Sequence, residues 1–166
     1  PDDAEAIQKR IRRSWRLLSG GRRVRDADRP TLIACSGGAD SCALAIALAS
    51  TPTPTTLGHV VHDLRPREQG EADRDAVREL GHRLCVPVVE REIRVAAMAG
   101  NLEANAREAR YGALKELGAG CGARWIVTAH HADDGLETLL MRRLRASAPR
   151  GLAAVSPPHL IYSRPG

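Results

Sequence analysis

A short apolar run, Thr31-Leu32-Ile33-Ala34-Cys35, ends in Ser36-Gly37-Gly38-Ala39-Asp40-Ser41, and an alanine-rich helical segment, Cys42 to Ala49, follows at once. Strand, glycine turn and helix start, in that order, is how a chain builds a cradle for an oxyanion. Glycine takes a positive φ without steric cost and lets a ligand approach the backbone closely. The helix start adds free N–H groups and the positive end of its dipole. A bare Gly-Gly would more simply be a turn with no ligand. Here the hydroxyls of Ser36 and Ser41 and the carboxylate of Asp40 bracket the turn, which shifts the expectation to phosphate. It is not a Walker A loop, because no Gly-Lys followed by Ser or Thr comes after it, nor is it Gly-x-Gly-x-x-Gly.

The rest of the chain reads as alternating strands and helices. Residues 3–18 form a basic amphipathic helix with Ile7, Ile11, Trp15 and Leu18 on one stripe, and residues 19–30 a connecting loop. Whether this helix is a solvated cover or an arm that faces nucleic acid is left open by its pattern. After the strand Thr31 to Cys35 and the helix Cys42 to Ala49, the spacing predicts a strand from Thr56 to His62 and a polar loop from Leu64 to Gly70. A helix from Glu71 to Leu84 then carries Ala76, Val77, Leu80 and Leu84 as its stripe, before a strand from Val86 to Val95. Asn101 is placed to cap a helix with Glu103 in its first turn, and Leu102, Ala106, Ala109, Ala113 and Leu117 mark that helix's buried side. A strand from Arg124 to Thr128, a helix from Asp133 to Arg145 and a fifth strand from His159 to Tyr162 complete the pattern. Crossovers of this length suit parallel pairing, so the fold class is α/β, a parallel sheet with helices on both faces. Ligands in such sheets sit beyond the carboxyl ends of the strands, at the point where strand order reverses.

Composition sets outer bounds. A chain of 166 residues is most simply one folded domain behind its N-terminal helix. No apolar run reaches membrane-spanning length, and no segment reads as a signal peptide. Cys35, Cys42, Cys85 and Cys121 are widely spaced with no Cys-x-x-Cys pair, which argues against a zinc or iron–sulfur site and fits reduced cytosolic thiols. A net charge of +5 permits a nucleic-acid partner. Two Trp, two Tyr and no Phe argue against a base-stacking platform of several rings in this portion of the chain.

Two further clusters carry chemistry. In Thr128-Ala129-His130-His131-Ala132-Asp133-Asp134-Gly135-Leu136-Glu137-Thr138, a helix starting near His130 would put His130, Asp134 and Glu137 at i, i+4 and i+7, on one face. A His with two carboxylates there can bind a metal, hold an ammonium group or move protons; the plain alternative is helix capping by Asp133 and surface charge for the rest. Arg107 and Arg110, i and i+3 on the helix after Asn101, can clamp phosphate or carboxylate, although in so Arg-rich a chain either one alone is more simply a surface cation.

Ser36-Gly-Gly-Ala-Asp-Ser41 resembles the PP-loop of the ATP pyrophosphatases. With His59-Val-Val-His62-Asp-Leu-Arg65, Asn101-Leu-Glu, Ala106-Arg-Glu-Ala-Arg110-Tyr111, Thr128-Ala-His-His-Ala-Asp-Asp134 and Glu137-Thr138 in that order, residues 30–155 resemble the N-terminal catalytic domain of the tRNA(Ile)-lysidine synthetases. The resemblance implies a Rossmann-like adenine nucleotide alpha-hydrolase (PP-loop) domain over 30–166, behind a basic helix and connecting loop at 1–29. It implies ATP with Mg²⁺, tRNA(Ile) with a CAU anticodon and L-lysine as a small-molecule substrate, a cytoplasmic setting and no membrane; it allows a homodimer without requiring one. By the same resemblance Ser36, Gly37, Gly38, Ala39, Asp40 and Ser41 hold the nucleotide, with Asp40 the candidate Mg²⁺ ligand. Asp40, Arg110, His130, Asp134 and Glu137 are then the catalytic or lysine-holding set.

The chain departs from the family pattern at Val61, Asp63, Gly135, Ala146 and Ala148, and the family's tRNA-gripping C-terminal domains are expected to lie outside it. Competing expectations are tRNA cytidine 2-thiolation, which the missing Cys-x-x-Cys pair disfavours, and an amidating ligase, which would leave the His-His-x-Asp-Asp cluster unexplained. A PP-loop nucleotide-binding module without catalysis is the third.

Overall fold

The computed structural model describes residues 2–64, 66–129 and 160–162. Helix α1 (Asp2–Leu18) and two short 3-10 turns (Gly21–Arg23 and Asp26–Asp28) lead into β1 (Thr31–Ala34), α2 (Ala39–Ala49), β2 (Thr55–His62), α3 (Arg67–Leu84), β3 (Val88–Ile93), α4 (Leu102–Gly120) and β4 (Trp125–Thr128). A short strand, β5 (Leu160–Tyr162), closes one edge. The sheet order is β3-β2-β1-β4-β5. The first four strands run parallel, with Thr31 opposite Thr55 and Trp125, whereas β5 runs antiparallel to β4. The chain moves outward from β1 to β3, then returns through α4 to place β4 on the other side of β1. Strand order therefore reverses at β1, whose end is the glycine turn.

Side-chain alternation along the strands divides the core in two. On one face Ile33, Cys35 and Leu57 meet Trp15 of α1, Leu44, Ala45 and Leu48 of α2, and Val77 of α3. On the other Leu32 and Ile126 meet Leu114 of α4 and Ala123. Helices thus cover both faces, as the alternation of elements predicts. Asn101 caps α4 as expected, its side chain accepting from the N–H groups of Glu103 and Ala104.

Several boundaries and faces differ from the sequence expectation. Helix α2 starts at Ala39 instead of Cys42, so Asp40 and Ser41 lie in its first turn. Helix α3 starts at Arg67, inside the stretch expected to be loop. Pro66, with φ −51°, sits just before the first turn, and its carbonyl accepts from Gln69 and Gly70 N–H, so a proline that looks like a breaker launches the helix. Strand β3 is shorter than 86–95, because Val86 N–H still closes α3 by donating to the Gly81 carbonyl. Ile7, Leu18, Ala76 and Leu102 are exposed; on α4, Ala106 and Ala113 are buried as expected, and Leu114 and Gly118 join them. The expected helix Asp133 to Arg145 lies outside the described residues.

Candidate functional site

The glycine turn after β1 is held by its own atoms. Gly37 has φ +87°, a conformation an L side chain adopts only under strain, and a Cβ there would sit 3.3 Å from the Asp73 carbonyl oxygen. Gly38, by contrast, is extended at φ −73° and occupies the N-cap position of α2. As a glycine it brings no capping side chain to that helix end, where its own N–H donates to the Ser36 hydroxyl at 3.5 Å; a helix start of this kind suits an anion. The Ser41 hydroxyl, buried, donates to the Gly38 carbonyl at 2.9 Å and accepts from Ser36 N–H at 3.2 Å. It lies 3.3 Å from the Ser36 hydroxyl. In this arrangement Ser41 braces the turn from inside, while Ser36, Ala39 and Asp40 are exposed around its mouth.

The turn opens onto a cleft of about 200 Å³ at the carboxyl ends of the strands. Its floor is the end of β1 with Gly58 to His62 of β2, and Thr128 at the end of β4 with Ala129 after it form another side. Gly70 and Asp73 come from α3, and Arg110, Tyr111 and Leu114 from α4. The structure brings Ser36, Ser41 and Arg110 to one cavity. It separates the two arginines: Arg110 lines the cleft, whereas Arg107 is exposed with its guanidinium 5.2 Å from the Tyr111 ring centroid. His130, Asp134 and Glu137 lie outside the described residues, as do Gly135, Ala146 and Ala148.

Three residues gain roles that the sequence reading did not give them. Asp73 reaches the cleft because α3 starts one turn early; Gly70, Asp73 and the buried Val77 then share a face at i, i+3 and i+7, a spacing visible in the sequence once the start is known. His59 is only 3% exposed, and its Nδ1 lies 2.8 Å from the Cys35 carbonyl oxygen. A carbonyl can only accept, so Nδ1 carries the proton. Cys35 N–H meanwhile donates to the Gly58 carbonyl, so both polar groups of the residue before the turn are held by β2. Asp63 uses one carboxylate oxygen to accept from Val95 N–H at 2.7 Å and Ala96 N–H at 3.1 Å, tying the segment after β2 to the one after β3. The Val95 bond above all, with that from Ala96, holds its pKa below the ordinary carboxylate value against the opposing effect of desolvation. The departure from the family at this position is thus a loop tie.

For a divalent cation, the exposed carboxylate of Asp40 at the mouth of the turn and that of Asp73 on the cleft wall are hard oxygen donors. Among the described residues no group of three or more His, Cys, Asp and Glu side chains is set to hold a metal by itself. Two carboxylates are the donor set suited to Mg²⁺, which takes one or two and fills its shell with phosphate oxygens and water.

Comparison with known proteins places this geometry. The family model described as PP-loop domain matches residues 6–165. The chain belongs to that family. Its members are ATP-binding domains. Among curated relatives the chain is similar to the tRNA(Ile)-lysidine synthase of Geobacter sulfurreducens, 39% identical over 80% of this chain and 29% of the relative. It is similar to that of Bordetella pertussis, 45% identical over 75% and 40%. The synthase of Salinispora arenicola is 40% identical over 90% and 44%. The chain thus spans less than half the length of each of these relatives. Among solved structures, a U34-tRNA thiolase from Methanococcus maripaludis superposes with a TM-score of 0.62 at 15% identity, covering 88% of this PP-loop chain and 53% of that one. The NMN synthetase of Francisella tularensis gives 0.57 at 20%, covering 78% and 55%. Likeness at those identities speaks to the fold alone. No helix among the described residues is long and apolar enough to cross a membrane.

Proposed function

We propose that this PP-loop domain is the ATP-using part of a tRNA(Ile)-lysidine synthase. The observation that carries the reading is the similarity, at 39–45% identity over 75–90% of the chain, to synthases of that name. The cleft supports it: Ser36 and Ser41 of the glycine turn, the Arg110 guanidinium and the Asp73 carboxylate line one cavity.

In the first step the C2 oxygen of the wobble cytidine attacks the α-phosphorus of ATP. The bond from that phosphorus to the bridging oxygen breaks, and pyrophosphate leaves. The N–H groups at the start of α2 and the exposed Ser36 hydroxyl face the phosphates, and Ser41 keeps the turn in shape. Donors fixed in place before reaction stabilise the developing charge without reorganising. Asp40, helped by Asp73, would hold Mg²⁺, which supplies charge neutralisation to the departing pyrophosphate. Arg110 offers a guanidinium to the α-phosphate or to charge building on the base. In the second step the ε-amine of lysine attacks C2, the C2–O bond breaks, AMP leaves and the amine gives up a proton. Adenylation makes that oxygen a good leaving group, and bringing amine and C2 together supplies much of the rate. Asp134 and Glu137 are assigned to the lysine amine, and His130 to acid–base work beside them.

The test is release of AMP and pyrophosphate that depends on both lysine and tRNA, with the modified nucleoside identified by mass. Sulfur in that nucleoside would make the protein a thiolation enzyme. ATP binding with neither product would make it a module without catalysis. For the lysine assignment, Asp134→Asn/Glu137→Gln should raise KM for lysine at least about tenfold, the loss of roughly 1.4 kcal/mol of binding. Binding of ATP and tRNA should be unchanged, and an unchanged lysine KM would remove both residues from that role.

A further inference from the structure

The charge of this molecule is concentrated in one place. Residues 9–25 contain eight of its 25 Lys and Arg and none of its 20 Asp and Glu, which leaves 17 cations against 20 anions in the rest of the chain. A composition rich in Arg throughout would spread its cations; here the net positive charge comes entirely from the second half of α1 and the turn behind it.

Structure sharpens the pattern. Arg16 and Arg25 are ion-paired with Asp26 and Asp28, and Arg12 donates to the Gln8 carbonyl. Lys9, Arg10, Arg13, Arg22 and Arg23 are exposed, with no acidic partner among the described residues. The platform that carries them is rigid. Trp15, 4% exposed, anchors α1 against the sheet, its ring edge-on to Trp125 at 5.9 Å. The turn bearing Arg22 and Arg23 is pinned from beneath by Arg29. That guanidinium, 1% exposed, donates to the Gly21 and Val24 carbonyls and pairs with Asp26. A buried arginine thus fixes the backbone from which two exposed ones project.

We propose that this ridge binds the phosphodiester backbone of the tRNA, at a distance from the nucleotide being modified. The proposal rests on the tRNA reading above and adds to it the surface that receives the RNA. Unpaired, preorganised cations on a rigid element suit phosphates, which fix orientation without reading sequence. The ridge lies where α1 meets the amino end of β4, at Trp125, away from the PP-loop cleft at the carboxyl ends. Its loss should therefore weaken capture of tRNA and leave the chemistry intact.

Two variants test this, Arg10→Ala/Arg13→Ala and Arg22→Ala/Arg23→Ala, against Arg83→Ala/Lys115→Ala, which removes equal charge elsewhere. For each ridge variant the plot of log affinity against log salt should flatten by about 0.7 to 0.9 for every phosphate that is no longer neutralised, and affinity at low salt should fall on the order of tenfold. KM for tRNA should rise while kcat at saturating tRNA, ATP affinity and the control variant's tRNA affinity stay unchanged. Equal losses in control and ridge variants, or unchanged affinity and slope in both ridge variants while the wild type modifies tRNA, overturn the ridge and leave the enzyme reading standing. A wild-type protein that neither binds nor modifies tRNA overturns both. Ile7 and Leu17 stand exposed on the same helix, so binding to phosphatidylserine vesicles is measured in parallel. Ridge-dependent vesicle binding with unaltered tRNA binding would replace RNA by a membrane surface.

Discussion

The turn after β1 borders the cleft, and the segment after β2 follows directly on His62, which lines it, yet the two are held in different ways. The turn after β1 is built from within six residues: a left-handed Gly37, an N-cap Gly38 and a Ser41 hydroxyl bonded to its own loop. The segment after β2 has no such internal frame. Its neighbourhood is fixed by two long-range side-chain ties, His59 to the Cys35 carbonyl across 24 residues and Asp63 to the Val95 and Ala96 amides across more than 30. A local frame is preorganised by backbone conformation, and a tied frame depends on partners folding elsewhere. The first therefore resists almost any change except at its glycine, and the second should yield stepwise as its ties are cut.

The largest effect is expected where the local frame has no substitute. Gly37→Ala forces a β-carbon into a left-handed residue and against the Asp73 backbone. Strain on the order of 1–3 kcal/mol corresponds to a loss of roughly ten- to a hundredfold in ATP affinity if the turn relaxes to relieve it. Calorimetric titration with ATP measures this. An unchanged affinity would mean the nucleotide does not depend on the shape of the turn.

His59 links the two frames, so its replacement asks whether the local one stands alone. In His59→Leu the carbonyl of Cys35, a residue 2% exposed, loses its partner, at a cost of about 1–3 kcal/mol. Part of that should appear as weaker ATP binding, because the carbonyl immediately precedes Ser36. His59→Asn presents an amide N–H near the Nδ1 position and should recover most of the affinity, and a leucine variant with unaltered ATP binding would show the turn to be self-sufficient. A drop in thermal stability shared equally by both variants, with ATP binding unaffected, would confine His59 to the core.

This difference also explains what could be read before the structure. The turn after β1 was legible because its determinants are contiguous: two glycines, two serines and an aspartate between a strand and a helix. The same holds for the Asn101 cap, where the accepting side chain and its two N–H donors lie two and three positions apart. The ties of His59 and Asp63 were not legible as ties, since no local pattern marks a partner 24 or 32 residues away. Asp63 stood out only as a departure from the family pattern, and its two amide partners belong to a segment with no motif. Asp73 was missed for another reason. The polar stretch Leu64 to Gly70 reads as loop with the helix starting at Glu71, and without Gly70 in the helix the face shared by Gly70, Asp73 and Val77 does not exist. The exposed Ile7 and Leu18 show the reverse error: helical spacing of apolar residues fixes a stripe but not how much of it the domain covers.

The smallest effect belongs to Asp63 and separates its charge from its shape. Asp63→Asn keeps an oxygen that can accept from Val95 and Ala96 N–H but removes the negative charge that makes those bonds charge-assisted. Because the amide bonds hold the folded-state pKa below that of the unfolded chain, the ionised carboxyl favours folding at neutral pH. That contribution is complete above the unfolded value of about 3.9, begins to shrink as the pH drops toward it, and is gone once the pH passes below the folded value. Urea unfolding of both proteins from neutral to acid pH should therefore show a wild-type margin over Asp63→Asn that is constant above about pH 5 and closes below about pH 4. A margin that persists unchanged in acid would mean that the loops are joined by the geometry of the acceptor alone, and the tie would then be as indifferent to protonation as the glycine frame beside it.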